Sequence, residues 1–189
     1  MSSIELSEDD QQILLTLARE SIRVRLLFDR DLQIDETVFS HVLQQPACSF
    51  VTLKIKQVLR GCIGSTEPCR PLVVDVVHHA ASAALDDPRF PPLSLQEEAL
   101  VSIEISVLTE ATPLLFSTDD ELLSQLEPGI DGLTLECGAL HATFLPSVWT
   151  SIPDKQQFLD RLKHKAGLEP GLPMEKLKAW RYQTVCFRE

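Results

Sequence analysis

The order of the helical and strand-like patterns constrains the fold of this chain more than any other feature. An amphipathic helix is predicted from about residue 8 to 27, because apolar residues recur there at helical spacing. A run rich in β-branched and aromatic residues follows at Cys48–Ile55, and a second run, Gln57–Gly64, comes directly after it. Together they predict a hairpin that turns near residues 54–57. Since strands and helices do not alternate strictly, the order favours an α+β fold with mostly antiparallel sheet and packed helices over a doubly wound sheet.

The later patterns continue this mixed order. Pro71 fits the first turn of a helix that runs to about residue 85, and the prolines of residues 86–92 must end it. The remaining predicted elements are a strand at 101–107, a short helix at 119–126, a hairpin over 132–145 that turns near Gly138, a helix at 156–166 that Gly167 ends, and a strand at 180–187. The length of 189 residues suits one domain or two closely packed halves.

Charge and cysteine content disfavour several classes of protein. A formal net charge of −11 disfavours nonspecific attraction to nucleic acid or anionic lipid. No run approaches the roughly 20 apolar residues of a membrane helix, and the start lacks the basic and apolar regions of a secretory signal. The cysteines are odd in number and form no Cys-x-x-Cys pair, which predicts reduced thiols in a cytoplasmic protein. They are Cys48, Cys62, Cys69, Cys137 and Cys186.

The sequence also predicts no metal and no cofactor. The histidines show no ligand spacing, and neither of the two common glycine-rich nucleotide motifs occurs. Acidic residues dominate the stretch between Arg89 and Lys155, which contains no Lys or Arg and predicts one strongly negative side. This side is either a solvated face or a docking face for a basic partner. Its acids include Glu97, Glu98, Glu104, Glu110, Asp119, Asp120, Glu121, Glu127, Asp131 and Glu136.

The segment Arg60–Gly64, with the sequence Arg-Gly-Cys-Ile-Gly, is the first candidate site. A cysteine between glycines at a strand end can be exposed, and the positive charge of Arg60 would favour its thiolate. Asp75 and His79 are spaced i and i+4 on the next predicted helix, so a Cys62–His79–Asp75 triad is conceivable. In the alternative, Cys62 is a small buried hydrophobe, and Asp75, His78 and His79 line a wet helix face.

Arg89 is the second candidate, because the preceding Pro88 stiffens the turn that carries it. An arginine fork suits a carboxylate or phosphate, and together with Arg60 it could form an anion pocket. Gly61 and Gly64 would shape the loop of this pocket, since glycine permits positive φ or close backbone approach. The alternative is an internal salt bridge from Arg89 to Asp86, Asp87 or Glu104.

Several motifs occur in one order over nearly the whole chain, and through them the chain resembles the AMMECR domain family. The two most specific are Leu59-Arg60-Gly61-Cys62-Ile63-Gly64 and Ala83-Ala84-Leu85-Asp86-Asp87-Pro88-Arg89-Phe90-Pro91-Pro92-Leu93. The others are Glu104-Ile105-Ser106-Val107-Leu108, Asp131-Gly132-Leu133, Phe144-Leu145-Pro146, Phe158-Leu159 and Lys165-Ala166-Gly167-Leu168.

The resemblance implies a single AMMECR-type domain over residues 1–189, with two subdomains of unequal size that form a cleft near the Arg60–Gly64 segment. The larger subdomain would join both chain ends, and the smaller would be internal. Microbial members resemble protein A of a gene set that also encodes a radical SAM protein and a dioxygenase-like protein, so the resemblance implies these two as partners. The family has no settled biochemical activity.

Two hypotheses of different class follow. In the first, the chain is an enzyme or enzyme partner that binds a small anionic substrate or a modified residue in the cleft. Cys62 would then be the nucleophile or a contact, and Arg60 and Arg89 would bind the anion. In the second, the chain is a non-catalytic adaptor that docks other proteins through the Arg60–Gly64 segment or the acidic face. A nucleic-acid binder is a third reading, which the acidic composition disfavours.

Overall fold

A computed structural model describes residues 4–169 and 173–189 of the chain. The chain divides into two compact units. The internal unit comprises Thr109–Thr184, and the N-terminal unit comprises residues 4–108 together with Val185–Glu189. Each unit contains a four-stranded sheet and an apolar core of its own. The prediction of an α+β fold with mostly antiparallel sheet is confirmed.

The helices and strands are numbered in chain order. The α-helices are α1 (Glu8–Phe28), α2 (His41–Gln44), α3 (Leu72–Leu85), α4 (Leu95–Glu98), α5 (Asp119–Ser124) and α6 (Lys155–Lys165). The strands are β1 (Ser49–Ile55), β2 (Val58–Gly64), β3 (Val101–Leu108), β4 (Thr112–Leu114), β5 (Gly132–Cys137), β6 (Leu140–Phe144), β7 (Lys178–Tyr182) and β8 (Thr184–Arg188). The sheet of the N-terminal unit has the order β2-β1-β3-β8, and that of the internal unit has the order β4-β7-β5-β6.

In the N-terminal unit, α1 and α3 pack on one face of the sheet. Side chains alternate between the two faces of a strand, and on β1 the fully buried Val51 and Leu53 join a core that includes residues of both helices. Thr52, which lies between them, is only partly buried and belongs to the opposite face. The sheet therefore has one apolar face under the helices and one more polar face.

In the internal unit, the core forms around Phe158 of α6. Its ring stacks on Trp149 at a centroid distance of 3.6 Å and meets Phe144 edge-on at 5.2 Å. The indole N–H of Trp149 donates to the backbone oxygen of Asp131 at 2.7 Å, so this large side chain is buried with its polar atom satisfied.

The helices and hairpins predicted from periodicity are confirmed, with boundaries shifted by one or two residues. The predicted final strand at 180–187 is wrong as a single element. It consists of β7 and β8, which belong to different sheets. The break falls at Gln183, whose backbone N–H donates to Thr109 Oγ1 and whose oxygen accepts from Thr109 N–H, both at 2.9 Å. The sequence pattern missed this change of sheet because both strands are rich in aromatic and β-branched residues.

Candidate functional site

Cys62 lies on β2, which is the edge strand of its sheet. The outward-facing backbone groups of an edge strand need partners. Here the backbone N–H of Cys62 donates to Asp87 Oδ2 at 2.8 Å, and its backbone oxygen accepts from Arg89 Nη2 at 2.9 Å. The loop after α3 thus satisfies both groups, which brings the two most specific motifs of the chain into contact.

The carboxylate of Asp87 is the centre of this arrangement. Besides the bond from the Cys62 N–H, it accepts three hydrogen bonds from Arg89. They come from the backbone N–H at 3.1 Å, from the side-chain Nε at 2.9 Å and from the side-chain Nη2 at 2.7 Å. Its side chain is only 2% exposed. The hydrogen bonds from the Arg89 side chain hold the pKa of Asp87 far below its usual range, and the Cys62 N–H acts in the same direction. Of the salt bridges that the sequence left open for Arg89, the structure contains the one to Asp87.

Arg89 presents the free side of its guanidinium outward. Its side chain is 55% exposed although two of its nitrogens are held. Within residues 4–169 and 173–189, Nη1 of Arg89 makes no hydrogen bond. The guanidinium carbon lies 5.6 Å from the ring centre of Phe90, which supports it from one side. The result is an oriented arginine with donor capacity left.

The side chain of Cys62 belongs to the polar face of the sheet. Thr52 Oγ1, on the neighbouring strand, donates to Cys62 Sγ at 3.3 Å, and the cysteine is partly buried. The preceding Gly61 faces α3, because a Cβ built there would lie 2.0 Å from the backbone oxygen of Ala83. Since neighbouring residues of a strand point to opposite faces, Cys62 points away from α3.

Asp75 and His79 of α3 are joined, but to a different partner. His79 Nδ1 lies 3.1 Å from Asp75 Oδ2, and this carboxylate also accepts from Ser49 N–H at 3.0 Å and from Ser49 Oγ at 2.7 Å. All three residues are at most 4% exposed. They line no wet helix face; they tie α3 to the start of β1. Among the described residues, no hydrogen bond joins either of them to Cys62, so the geometry supplies no relay through the predicted triad.

Arg60 contacts Glu97 and Pro92 rather than Asp87. Its Nε and Nη2 contact the two carboxylate oxygens of Glu97 at 2.9 and 3.1 Å, and Nη2 also donates to the Pro92 oxygen at 3.3 Å. Its side chain is only 12% exposed. The guanidinium and the backbone of Ser94 lower the pKa of Glu97 to about 2. Arg60 therefore fixes the start of α4 to β2 and has much less open surface than Arg89.

Both glycines of the segment are required by packing. Gly61 allows α3 to approach the sheet, and Gly64 lies under the ring of Phe50, where an added Cβ would be 2.3 Å from a ring carbon. Neither Gly61 nor Gly64 adopts a positive φ. Their predicted role in shaping a binding loop stays a prediction, and close approach is its physical basis.

The acidic stretch of residues 90–154 is largely neutralised within the chain. It contains eleven acidic residues, and six of them form ion pairs with basic residues from outside the stretch. These acids are Glu97, Glu98 and Glu104 in the N-terminal unit and Asp119, Asp131 and Glu136 in the internal unit. The expected negative side therefore loses six of its side chains to internal pairing, and an adaptor that docks through acids loses support.

Sequence reasoning missed the two residues that complete the site. The sequence offers Asp87 only as a salt-bridge partner for Arg89, and it marks Thr52 only as a residue of the predicted strand. A signal for Asp87 existed in the sequence: an aspartate two residues before an arginine, with a stiff proline between them, can receive the guanidinium and a nearby backbone N–H together. No comparable signal marked Thr52, because its role depends on the register that pairs it with Cys62.

Two kinds of feature are absent from the described part of the chain. No group of three or more His, Cys, Asp or Glu side chains within residues 4–169 and 173–189 is arranged to hold a metal ion. Over the same residues, no helix has both the length and the apolar character required to cross a membrane.

Comparisons with known proteins agree on one family. The AMMECR1 family model matches residues 15–187. A protein of Methanothermobacter thermautotrophicus is 36% identical over 191 residues, which cover 100% of this chain and 99% of that protein. A protein of Thermofilum pendens is 33% identical, with 97% of this chain and 92% of that protein covered. The crystal structure of the uncharacterized protein PH0010 from Pyrococcus horikoshii superposes with a TM-score of 0.88 at 31% identity, covering 97% of this chain and 93% of that one.

Proposed function

The chain belongs to the AMMECR1 family, and from that premise we propose that it binds a carboxylate at Arg89, beside Cys62. The carboxylate would belong to a small substrate or to a modified residue of another protein. The observation that carries the proposal is the state of Arg89: a buried carboxylate holds one side of its guanidinium while the side chain as a whole stays 55% exposed. An arginine oriented in this way loses little conformational freedom when an anion arrives.

The contrast with Arg60 locates the contact more narrowly. Both arginines are paired with an acid, but the Arg60 side chain is only 12% exposed, and its Nε and Nη2 already donate to Glu97 and Pro92. Arg89 has the open surface and an Nη1 that no described residue engages. We therefore assign anion contact to Arg89 and a supporting role to Arg60, which holds β2 and α4 in place.

Cys62 is the second contact in this proposal. Thr52 donates to its sulfur, which orients the side chain on the polar face of the sheet. A nucleophile also needs a base within hydrogen-bond reach, and the imidazole of His79 is turned to Asp75 and Ser49. The proposal therefore uses Cys62 to recognise the bound group, and it leaves the reaction to a partner or to a second substrate.

The partners implied by the family resemblance fit this division of labour. A radical SAM protein or a dioxygenase-like protein would carry out the reaction on the bound group, and this chain would present that group or the residue that bears it. The proposal thus joins the enzyme-partner hypothesis to a specific contact, Arg89 with Cys62.

Thiol alkylation in the presence of a small anion tests the proposal. Iodoacetamide at neutral pH should label Cys62 faster than the other four cysteines, and succinate should slow this labelling while uncharged succinamide should not. Replacing Asp87 and Arg89 together, as Asp87→Asn with Arg89→Ala, removes the pair without changing the local net charge. A hydrogen bond to a charged group contributes about 1.5 kcal/mol or more, so this double variant should need about tenfold more succinate for the same protection.

Arg23 provides a matched control. It is also a half-exposed arginine of the N-terminal unit, 57% exposed, and its Nε contacts a largely buried acid, Glu98, at 2.9 Å. Arg23→Ala should leave succinate protection unchanged. The proposal fails if succinate and succinamide act alike, or if the double variant is protected as well as the wild type. Equal labelling of all exposed thiols would remove the role of Cys62 and leave only Arg89 to be tested.

A further inference from the structure

A short antiparallel pairing lies beside the beginning of β1, outside the two named sheets. It joins residues 45–47 to residues 70–72. Leu72 N–H donates to the Gln45 oxygen at 2.9 Å, Ala47 N–H donates to the Arg70 oxygen at 3.3 Å, and Pro46 and Pro71 oppose each other between these bonds. Two prolines can face each other there because a non-hydrogen-bonded pair requires no N–H from either residue.

Two cysteines flank this pairing on the same side of it. Cys48 lies two residues after Pro46, and Cys69 lies two residues before Pro71. Since the two segments run antiparallel, both cysteines leave the pairing in the same direction, next to the hydrogen bond from Ala47 to Arg70. Their side chains are therefore close enough for the loop to bring the Cα atoms within the about 4.4–6.8 Å that a disulfide spans.

The chain on the far side of this position supports the placement. Ser65 N–H donates to the Ser49 oxygen at 3.2 Å, so the chain leaves the edge of β1 just after β2 and returns to it at Arg70. Cys69 lies in the excursion between these two anchors, where its N–H donates to the Glu67 oxygen at 2.9 Å. Burial raises the pKa of the Cys48 thiol to about 11, and Asp75 and the thiol of Cys69 act in the same direction.

We propose that Cys48 and Cys69 form a reversible disulfide that fastens the loop between β2 and α3 to the start of β1. Both are free thiols in the structure. The inference concerns cysteines other than Cys62 and does not depend on the proposed anion contact. Its effect would be to restrain the residues that connect Gly64, at the end of the candidate site, to the helix that carries Asp75 and His79.

The exposure of the two thiols sets the order of the reaction. Cys69 is exposed and Cys48 is buried, so a small disulfide such as glutathione disulfide reaches Cys69 first. The Cys69 thiolate attacks one glutathione sulfur and releases one glutathione thiolate. The Cys48 thiolate then attacks Cys69 Sγ and releases the second. Two protein thiols are oxidised, one glutathione disulfide is reduced to two glutathione thiols, and these take up the two protons.

Intact-mass measurement after incubation with glutathione disulfide tests this inference. In the wild-type chain the internal bond should remove the mass of two hydrogens and two of the five alkylatable thiols, and any glutathione on another exposed thiol such as Cys186 adds its own mass separately. Cys62→Ser should behave in the same way, because Cys62 takes no part. Cys48→Ala should instead gain one glutathione at Cys69, since the exposed thiol reacts and nothing resolves the adduct. Cys69→Ser should form no internal bond, and any glutathione that it gains should lie on another accessible thiol such as Cys186.

Two results would overturn the inference. One is a wild-type chain that only gains glutathione and never forms the internal bond. The other is an internal bond that persists in Cys69→Ser or disappears in Cys62→Ser, either of which would assign it to other cysteines. If the buried substitution Cys48→Ala prevents folding, Cys69→Ser and Cys62→Ser still decide the matter, because Cys69 is exposed and its replacement leaves the core untouched.

Discussion

Asp87→Asn should destabilise the N-terminal unit far more than the same change at its neighbour. Asp87 accepts hydrogen bonds from Cys62 N–H, from the backbone N–H of Arg89 and from two guanidinium nitrogens, at 2.7 to 3.1 Å. Asparagine keeps one acceptor and turns an NH₂ group toward these donors. Removing one partner of a buried ion pair costs about 3–5 kcal/mol, but the half-exposed Arg89 can return to water, so we expect about 2–3 kcal/mol.

Asp86→Asn is the matched control, because its carboxylate is 50% exposed and its nearest cation, Arg25, is 3.8 Å away. We expect this control to change the free energy of unfolding by less than about 0.5 kcal/mol. Urea unfolding followed by far-UV circular dichroism is the assay. Tryptophan fluorescence would follow the wrong unit, since Trp149 and Trp180 both lie in the internal unit.

The pH dependence of the free energy of unfolding provides a second test of the same substitution. The pKa of Asp87 is lower in the folded chain than in the unfolded chain, so the unfolded state binds more protons and the stabilisation is greatest at higher pH. The stability difference between wild type and Asp87→Asn should therefore stay constant from neutral pH to about 5 and shrink as the pH falls below about 4. A difference no larger than that of Asp86→Asn, or one that is unchanged down to pH 2.5, would refute the role given to Asp87.

Two further substitutions test the packing around the site. Gly61→Ala should lower the free energy of unfolding in urea by about 3 kcal/mol or more, because its Cβ would lie 2.0 Å from the Ala83 backbone oxygen. Gly138 has a φ of +62 and no atom within 4 Å of an added Cβ, so Gly138→Ala should cost only about 1–2 kcal/mol. Equal losses for the two variants would contradict the close approach of α3. Asp75→Asn should lower the free energy of unfolding by about 2–3 kcal/mol, because it weakens the buried network with His79 and Ser49. Replacement of the exposed His78 by Ala should cost less than about 0.5 kcal/mol. A similar loss for both variants would contradict the structural role of the buried Asp75.

The elements with strong local signals could be predicted from the sequence. Ser7 and Asp10 at the start of α1 form a complete capping box, and the hairpin of β1 and β2 turns at Lys56 and Gln57, which both have positive φ. These features depend on neighbours in the chain, and local pattern therefore suffices. The change of sheet at Gln183 depends on a partner more than 70 residues away, Thr109, and no periodicity reports it.

The candidate site divides in the same way. The sequence identified Arg60, Cys62 and Arg89 as residues whose chemistry suits a site, but it could not decide their partners. The predicted link from Cys62 to α3 was plausible by spacing alone. Strand alternation decides against it, since Gly61 and not Cys62 faces the helix. The face of the sheet that a residue of β2 occupies follows from the pairing register of that strand. This register depends on contacts with β1 and Asp87, which the sequence of residues 60–64 does not report.

The rate at which Cys62 reacts with iodoacetate relative to iodoacetamide tests the central claim most directly. The two reagents differ in charge, so their ratio cancels the intrinsic reactivity of the thiol and reports attraction of a carboxylate. Cys186, an exposed thiol, serves as the internal standard. The account predicts a ratio at Cys62 about tenfold above that at Cys186, corresponding to about 1.4 kcal/mol, and its loss in the Asp87→Asn, Arg89→Ala double variant but not in Arg23→Ala. Equal ratios at the two cysteines of the wild type would contradict it.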